Sequence, residues 1–164
     1  MKSILLILSA ILTINGYAQY DTVNTITINN IQLRLDTEAD VINKLGSPTQ
    51  IKEEIDYAGD GDVIKVYCYE NSYFKFWNEK VQTFLIKNSS YTFNDKFSVG
   101  DNITVFQNHY PNSFQNPLSS NQISSFDISN FEFDKSYWIN AGGGDGVLVF
   151  SKDNIIIGFR YSVG

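Results

Sequence analysis

Cysteine and histidine are nearly absent from this chain: Cys68 and His109 each stand alone in 164 residues. A single cysteine excludes an internal disulfide, and one of each leaves too few ligands for zinc. The thiol reads as a small buried hydrophobe in a strand, with an intermolecular disulfide as the alternative. No Gly-x-Ser-x-Gly stretch positions a serine for a triad with His109, and a strand-buried Cys68 would be inert beside it, so catalysis finds no footing. Basic residues are few, 12 against 18 acidic, for a net charge of −6. Phosphate-backbone binding and anionic membranes both need clustered Lys and Arg, so nucleic acid and charged lipid are poor partners.

Long hydrophobic runs are missing too. The only one, residues 4–14, is about half of what a membrane span needs. With Lys2 before it and Asn15-Gly16-Tyr17-Ala18 after it, it is a signal peptide, residues 1–18, cleaved after Ala18. No cysteine stands at that site to carry a lipid. The expectation is an exported protein, periplasmic or secreted, with no stable membrane anchor and no cofactor.

Residues 19–30 form a Thr/Asn-rich lead-in that is either mobile or an edge strand. Helix chemistry follows: Asp36 or Thr37 as cap, Glu38 and Asp40 at the positive end, an apolar stripe of Ala39, Val41, Ile42 and Leu45, then Gly46 and Pro48 as the stop. Residues 50–57 alternate as a strand. Residues 63–87 read as three strands, with turns at Glu70-Asn71-Ser72 and Asn78-Glu79-Lys80. A second helix pattern at 98–110 stops at Pro111, a polar loop covers 112–125, and three strand-like pieces, 131–139, 147–150 and 155–161, close the chain. Gly142 to Gly146 reads as a flexible link. Leu45-Gly46-Ser47-Pro48 parallels His109-Tyr110-Pro111-Asn112 at an offset of about 65, and residues 76–81 parallel 150–155 at 74. The expected architecture is α+β: two tandem helix-plus-antiparallel-meander repeats, residues 31–92 and 93–164, sharing one sheet with the helices on one face.

A helix ending in Leu-Gly-Ser-Pro, followed by a meander whose last hairpin reads Phe-Trp-Asn-Glu-Lys-Val, resembles the small outer-membrane assembly lipoproteins of the SmpA/OmlA type. Two such units in tandem look like the β-lactamase inhibitory protein architecture. The resemblance covers residues 35–87 and, more loosely, 99–161. It implies a protein-binding sheet face, although no interface residue transfers by motif. The chain departs from both in lacking the lipoprotein cysteine and the inhibitor's disulfide partners.

Side-chain alternation supplies candidates for that face. Ile64, Val66, Cys68, Phe74 and Phe76 occupy even positions and are expected to meet the helix; Lys65, Tyr67, Tyr69, Tyr73, Lys75 and Trp77 fall on the other side. Tyr and Trp bring large, stiff, amphipathic surface and dominate binding hot spots. An open face of this kind is a contact surface; the competing reading is that another part of the chain covers it, or that the tyrosines only stabilise the meander. Trp138 alternates onto a polar face in the same anchor-like way, with structural packing as its alternative. The reading is a non-catalytic protein-binding or inhibitory module. Two others stand beside it: a structural envelope protein self-associating through the same face as a homo-oligomer, and a small-ligand or calcium-binding domain. The last would use Asp56, Asp60 and Asp62, whose spacing instead suits a solvated turn. Asn88-Ser89-Ser90 and Asn102-Ile103-Thr104 fit the glycosylation pattern, which matters only in a eukaryotic secretory host.

Overall fold

The computed structural model describes residues 21–56, 61–119 and 132–163. The signal-peptide reading and Asp60 lie outside the described residues. The chain is mainly β, 49% strand and 16% helical, which overturns the α+β expectation of helical repeats. The helices among the described residues are short: α1 (Glu38–Leu45), α2 (Ile103–His109) and α3 (Pro111–Gln115). Helices of two turns cannot persist alone and fold here only against a sheet.

Two antiparallel sheets carry the molecule. The larger has seven strands: β3 (Gln50–Ile55), β4 (Val63–Tyr69), β5 (Ser72–Trp77), β6 (Lys80–Ile86), β9 (Lys135–Gly142), β10 (Asp145–Lys152) and β11 (Ile155–Ser162). Their order is β3-β4-β5-β6-β11-β10-β9, so the two meanders meet where β6 pairs with the last strand, Phe159 opposite Ile86. The smaller sheet uses two hairpins of two-residue strands, β1 (Thr27–Ile28) with β2 (Ile31–Gln32) and β7 (Thr92–Phe93) with β8 (Phe97–Ser98), ordered β2-β1-β7-β8. Their turns, Asn29-Asn30 and Asn94-Asp95, take positive φ at both residues, where Asn and Asp cost least.

The small sheet stacks on the middle of the large one, with α1 to one side and α2 to the other. An aromatic core fills the space between: Phe159 lies 5.8 Å from both Phe93 and Phe97, Phe84 lies 6.4 Å from Phe159, and Phe106 of α2 lies 5.2 Å from Tyr137. Of the apolar stripe of α1, Val41 is fully buried, Ile42 and Leu45 are half-buried against the core, and Ala39 is exposed.

A smaller motif recurs in both halves. The peptide of Asp36 bonds to β6, accepting from Val81 N, while its carboxylate accepts from Gln32 N; Asp101 does the same with Ile156 N and Ser98 N. Each is followed by a helix cap, Thr37 or Asn102, bridged to a hairpin at Lys80 or Ile155. Those hairpin turns, Asn78-Glu79 and Asp153-Asn154, again take positive φ at both residues. Register shifts fall at matching places, between Lys75 and Phe76 and between Phe150 and Ser151. The offset on the strands is therefore 75, aligning Phe76 with Ser151 rather than with Phe150. Gly142 to Gly144 is a tight reversal with positive φ throughout, not a flexible link.

Candidate functional site

The facing of the central strands differs from the expected one. Tyr69 pairs with Ser72, so the connecting turn holds two residues, Glu70 and Asn71. A two-residue turn sets odd positions of β4 beside even positions of β5: Tyr67 opposite Phe74, Lys65 opposite Phe76. The core side of these strands is thus Lys65, Tyr67, Tyr69, Phe74 and Phe76, not the even positions throughout. The outer side carries Ile64, Val66, Cys68, Tyr73, Lys75 and Trp77. Phe74 and Phe76 keep their expected place; Ile64, Val66 and Cys68 exchange sides with Lys65, Tyr67 and Tyr69.

Lys65, Tyr67 and Tyr69 lie beneath α1 and fasten it. Tyr67 OH donates to Glu38 Oε2 at 2.5 Å, Lys65 Nζ donates to both Glu38 oxygens at 3.1 and 3.2 Å, and Tyr69 OH donates to the carbonyl of Gly46 at 3.1 Å. The two phenols therefore grip the first turn and the stop of the same helix. Thr37 caps that first turn: its hydroxyl accepts from Asp40 N, and Asp40 Oδ2 accepts from Thr37 N at 2.9 Å. That backbone bond, with the Thr37 hydroxyl, holds the Asp40 carboxyl below its usual range. Burial, then the bond to Glu38, pushes the Tyr67 phenol up to about 12; burial chiefly does the same to Tyr69. Both stay protonated and act as donors, not nucleophiles.

Tyr73, Lys75 and Trp77 remain on the outer face. Trp77 is 41% exposed and donates from Nε1 to Asp62 Oδ2 at 2.7 Å, which fixes its ring. Lys75 Nζ pairs with Glu54 Oε2 at 2.6 Å and lies 5.5 Å from the Tyr73 ring centre. Val66 and Leu85 are buried on this same face, under the stems of longer neighbours. Beside Tyr73 a depression of about 440 Å³ is lined by Cys68, Lys52, Leu85, Ser72 and Lys87. Trp138 sits elsewhere on the outer side. It pairs with Leu148, packs on the Leu148–Phe150 cluster, and lies so close to Gly146 that a Cβ there would fall 2.4 Å from its ring. It is far along the sheet from Trp77, in packing rather than in one patch with it.

Cys68 lies on the outer face, whereas His109 is on α2, on the core side, so the fold does not bring them together. Among the described residues no group of three His, Cys, Asp or Glu side chains could hold a metal ion, and no helix is long and apolar enough to cross a membrane. The chain matches no protein-family model, no curated protein and no solved structure.

Sequence reasoning missed a second polar cluster. Asp145 Oδ2 accepts from Arg34 at 2.5 Å and from Tyr161 OH at 2.9 Å, tying the first half to the last hairpin. Burial, then the Asp145 bond, pushes Tyr161 up to about 12, against the opposing charge of Arg34. Arg34 holds φ at 63° where the second copy of the motif uses Gly100 at 97°. That mismatch between an arginine and a glycine was the one available signal, and it needs the hairpins aligned to be seen.

Proposed function

We propose that this chain is an exported protein-binding module, of inhibitory or adaptor type, that contacts its partner through the outer face of β4 and β5. Tyr73, Lys75 and Trp77 carry the contact. The observation behind this is Trp77: a tryptophan 41% exposed, its ring oriented by Asp62, next to a tyrosine and a lysine on a face that no helix covers among the described residues. Large aromatic side chains fixed before binding lose little entropy on contact, which is what makes them anchors. Lys65, Tyr67 and Tyr69 serve that surface from behind by holding α1, and Trp138 braces β10. The likeness of residues 35–87 to the outer-membrane assembly lipoproteins points to the same kind of role.

The test is capture from native envelope or medium with wild type, the double variant Tyr73→Ala/Trp77→Ala, and Trp138→Phe. Proteins held by wild type and by Trp138→Phe but lost from the double variant are expected. Identical captured sets from all three would overturn the reading.

A further inference from the structure

The two edges of the large sheet are treated differently. The outer edge of β9 is occupied at both ends: Val23 N donates to Asn140 O at 2.9 Å, Asn140 N donates to Asp21 O at 3.1 Å, and Leu118 N donates to Ser136 O at 2.8 Å. The opposite edge, β3, has no such cover among the described residues, and all six of its side chains are exposed. Two of these are isoleucines, Ile51 at 54% and Ile55 at 52%, on one side of the strand. An open edge with apolar side chains is a template for another strand.

The hydrogen-bond phase says which groups it offers. Asp56 N donates to Asp62 O at 2.9 Å, so the even residues of β3 turn their peptides toward β4. Ile51, Glu53 and Ile55 turn theirs outward. We propose that β3 pairs antiparallel with β3 of a second copy of this chain, about a two-fold axis at Glu53, making one continuous sheet across a homodimer. This goes beyond the binding role proposed above and uses different residues.

The strand Gln50–Ile55, QIKEEI, is self-complementary in that register. Ile51 faces Ile55 of the second copy, twice, in the hydrogen-bonded positions. Lys52 faces Glu54 of the second copy, twice, in the positions where side chains lie closest. Lys52 makes no ion pair within the described residues, whereas Glu54 already holds Lys75. The one mismatch is Glu53 on itself at the axis, and the register sets Lys65 directly beside it on the neighbouring strand. Placing the axis at Lys52 instead would set lysine on lysine and Ile51 on Glu53. Pairing at Glu53 leaves the outer faces of both copies, with Tyr73 and Trp77, coplanar and pointing the same way.

The test is sedimentation equilibrium of the purified protein over a concentration series. Wild type is expected to dimerise reversibly. Glu53→Pro removes an outward N–H and no bond to β4, so it should give a folded monomer. Ile55→Lys, at an exposed position, should also weaken the dimer, which guards against misfolding of the proline variant. Glu53→Thr removes the like-charge contact and should tighten the dimer about two- to five-fold. A wild type that stays monomeric at its highest soluble concentration overturns the proposal, as does a dimer unaffected by Glu53→Pro. So does a monomer whose captured partner is lost in Glu53→Pro, since the edge would then serve a different protein. Loss of capture in Tyr73→Ala/Trp77→Ala with dimerisation intact leaves the two proposals separately decided.

Discussion

Phe159→Ala is the sharpest test of how the two halves hold together. Phe159 is fully buried on β11, opposite Ile86 of β6, and meets Phe93 and Phe97 at 5.8 Å and Phe84 at 6.4 Å. Standing on the second meander, its ring meets rings of both the first meander and the small sheet. Truncation removes a buried aromatic and leaves a cavity between two sheets that hydrogen bonding keeps from collapsing, so the cost belongs in the range of about 3–5 kcal/mol. Against a typical total of about 5–15 kcal/mol for a domain, that is a large fraction. Phe159→Leu, which keeps most of the volume, should cost about 1.5 kcal/mol or less by comparison with other shape-conserving changes. Urea unfolding followed by far-ultraviolet circular dichroism and by tryptophan fluorescence is the assay. Trp77 reports on the first half and Trp138 on the second. Because the core runs through Phe159, both probes should shift together in a single transition with an unchanged slope. A loss under about 1 kcal/mol, or two separated transitions in the wild type, would refute a shared core.

Other substitutions probe single contacts. Tyr67→Phe and Glu38→Gln should each destabilise by about 1–2 kcal/mol, and a double-mutant cycle should show a clear coupling between them, measured by chemical unfolding. Gly146→Ala drives a methyl into Trp138 and the backbone of β9, so it should cost about 1–3 kcal/mol and change Trp138 fluorescence. Tyr67, Tyr69 and Tyr161 are raised in the folded state from 10.0 to about 12. The stabilisation they bring is complete below pH 10 and is lost as pH rises through about 12, so the thermal midpoint should fall across that window. Tyr67→Phe should flatten part of the fall; a midpoint independent of pH there would count against buried, hydrogen-bonded phenols.

The capping chemistry of α1 was readable from its residues, because Thr37, Asp40 and Gly46 act within one turn of themselves and owe little to the rest of the chain. The facing of β4 and β5 was not. Reading Glu70-Asn71-Ser72 as a three-residue turn pairs even positions with even ones, whereas the two-residue turn pairs odd with even and flips a whole face. The purely apolar set then looks like core, while Tyr67 and Tyr69 in fact go inside because their hydroxyls find Glu38 and Gly46. The small sheet left almost no trace: two-residue strands such as Thr27–Ile28 carry no period, and only their positive-φ Asn and Asp turns mark them. The outward placement of Trp77 was legible from its alternation, the packing reading of Trp138 was available beside its anchor reading, and the Arg34–Asp145–Tyr161 cluster joins residues too distant in the chain for any pattern to connect.

The pairing of β6 with β11 has a consequence for how the chain comes into being. Leu85 must wait for Arg160, and the strap at Asn140 waits for its return to Asp21. Until β11 has been made, β6 is an open edge and Phe84, Phe93 and Phe97 lack the ring of Phe159 that they share. Contacts this distant along the chain are slow to form, because long loops must close before any of them is rewarded. The large sheet therefore closes only once β11 is available to β6. Holding β11 back would leave β6 exposed as a strand edge, in what becomes the middle of the finished sheet rather than at its rim.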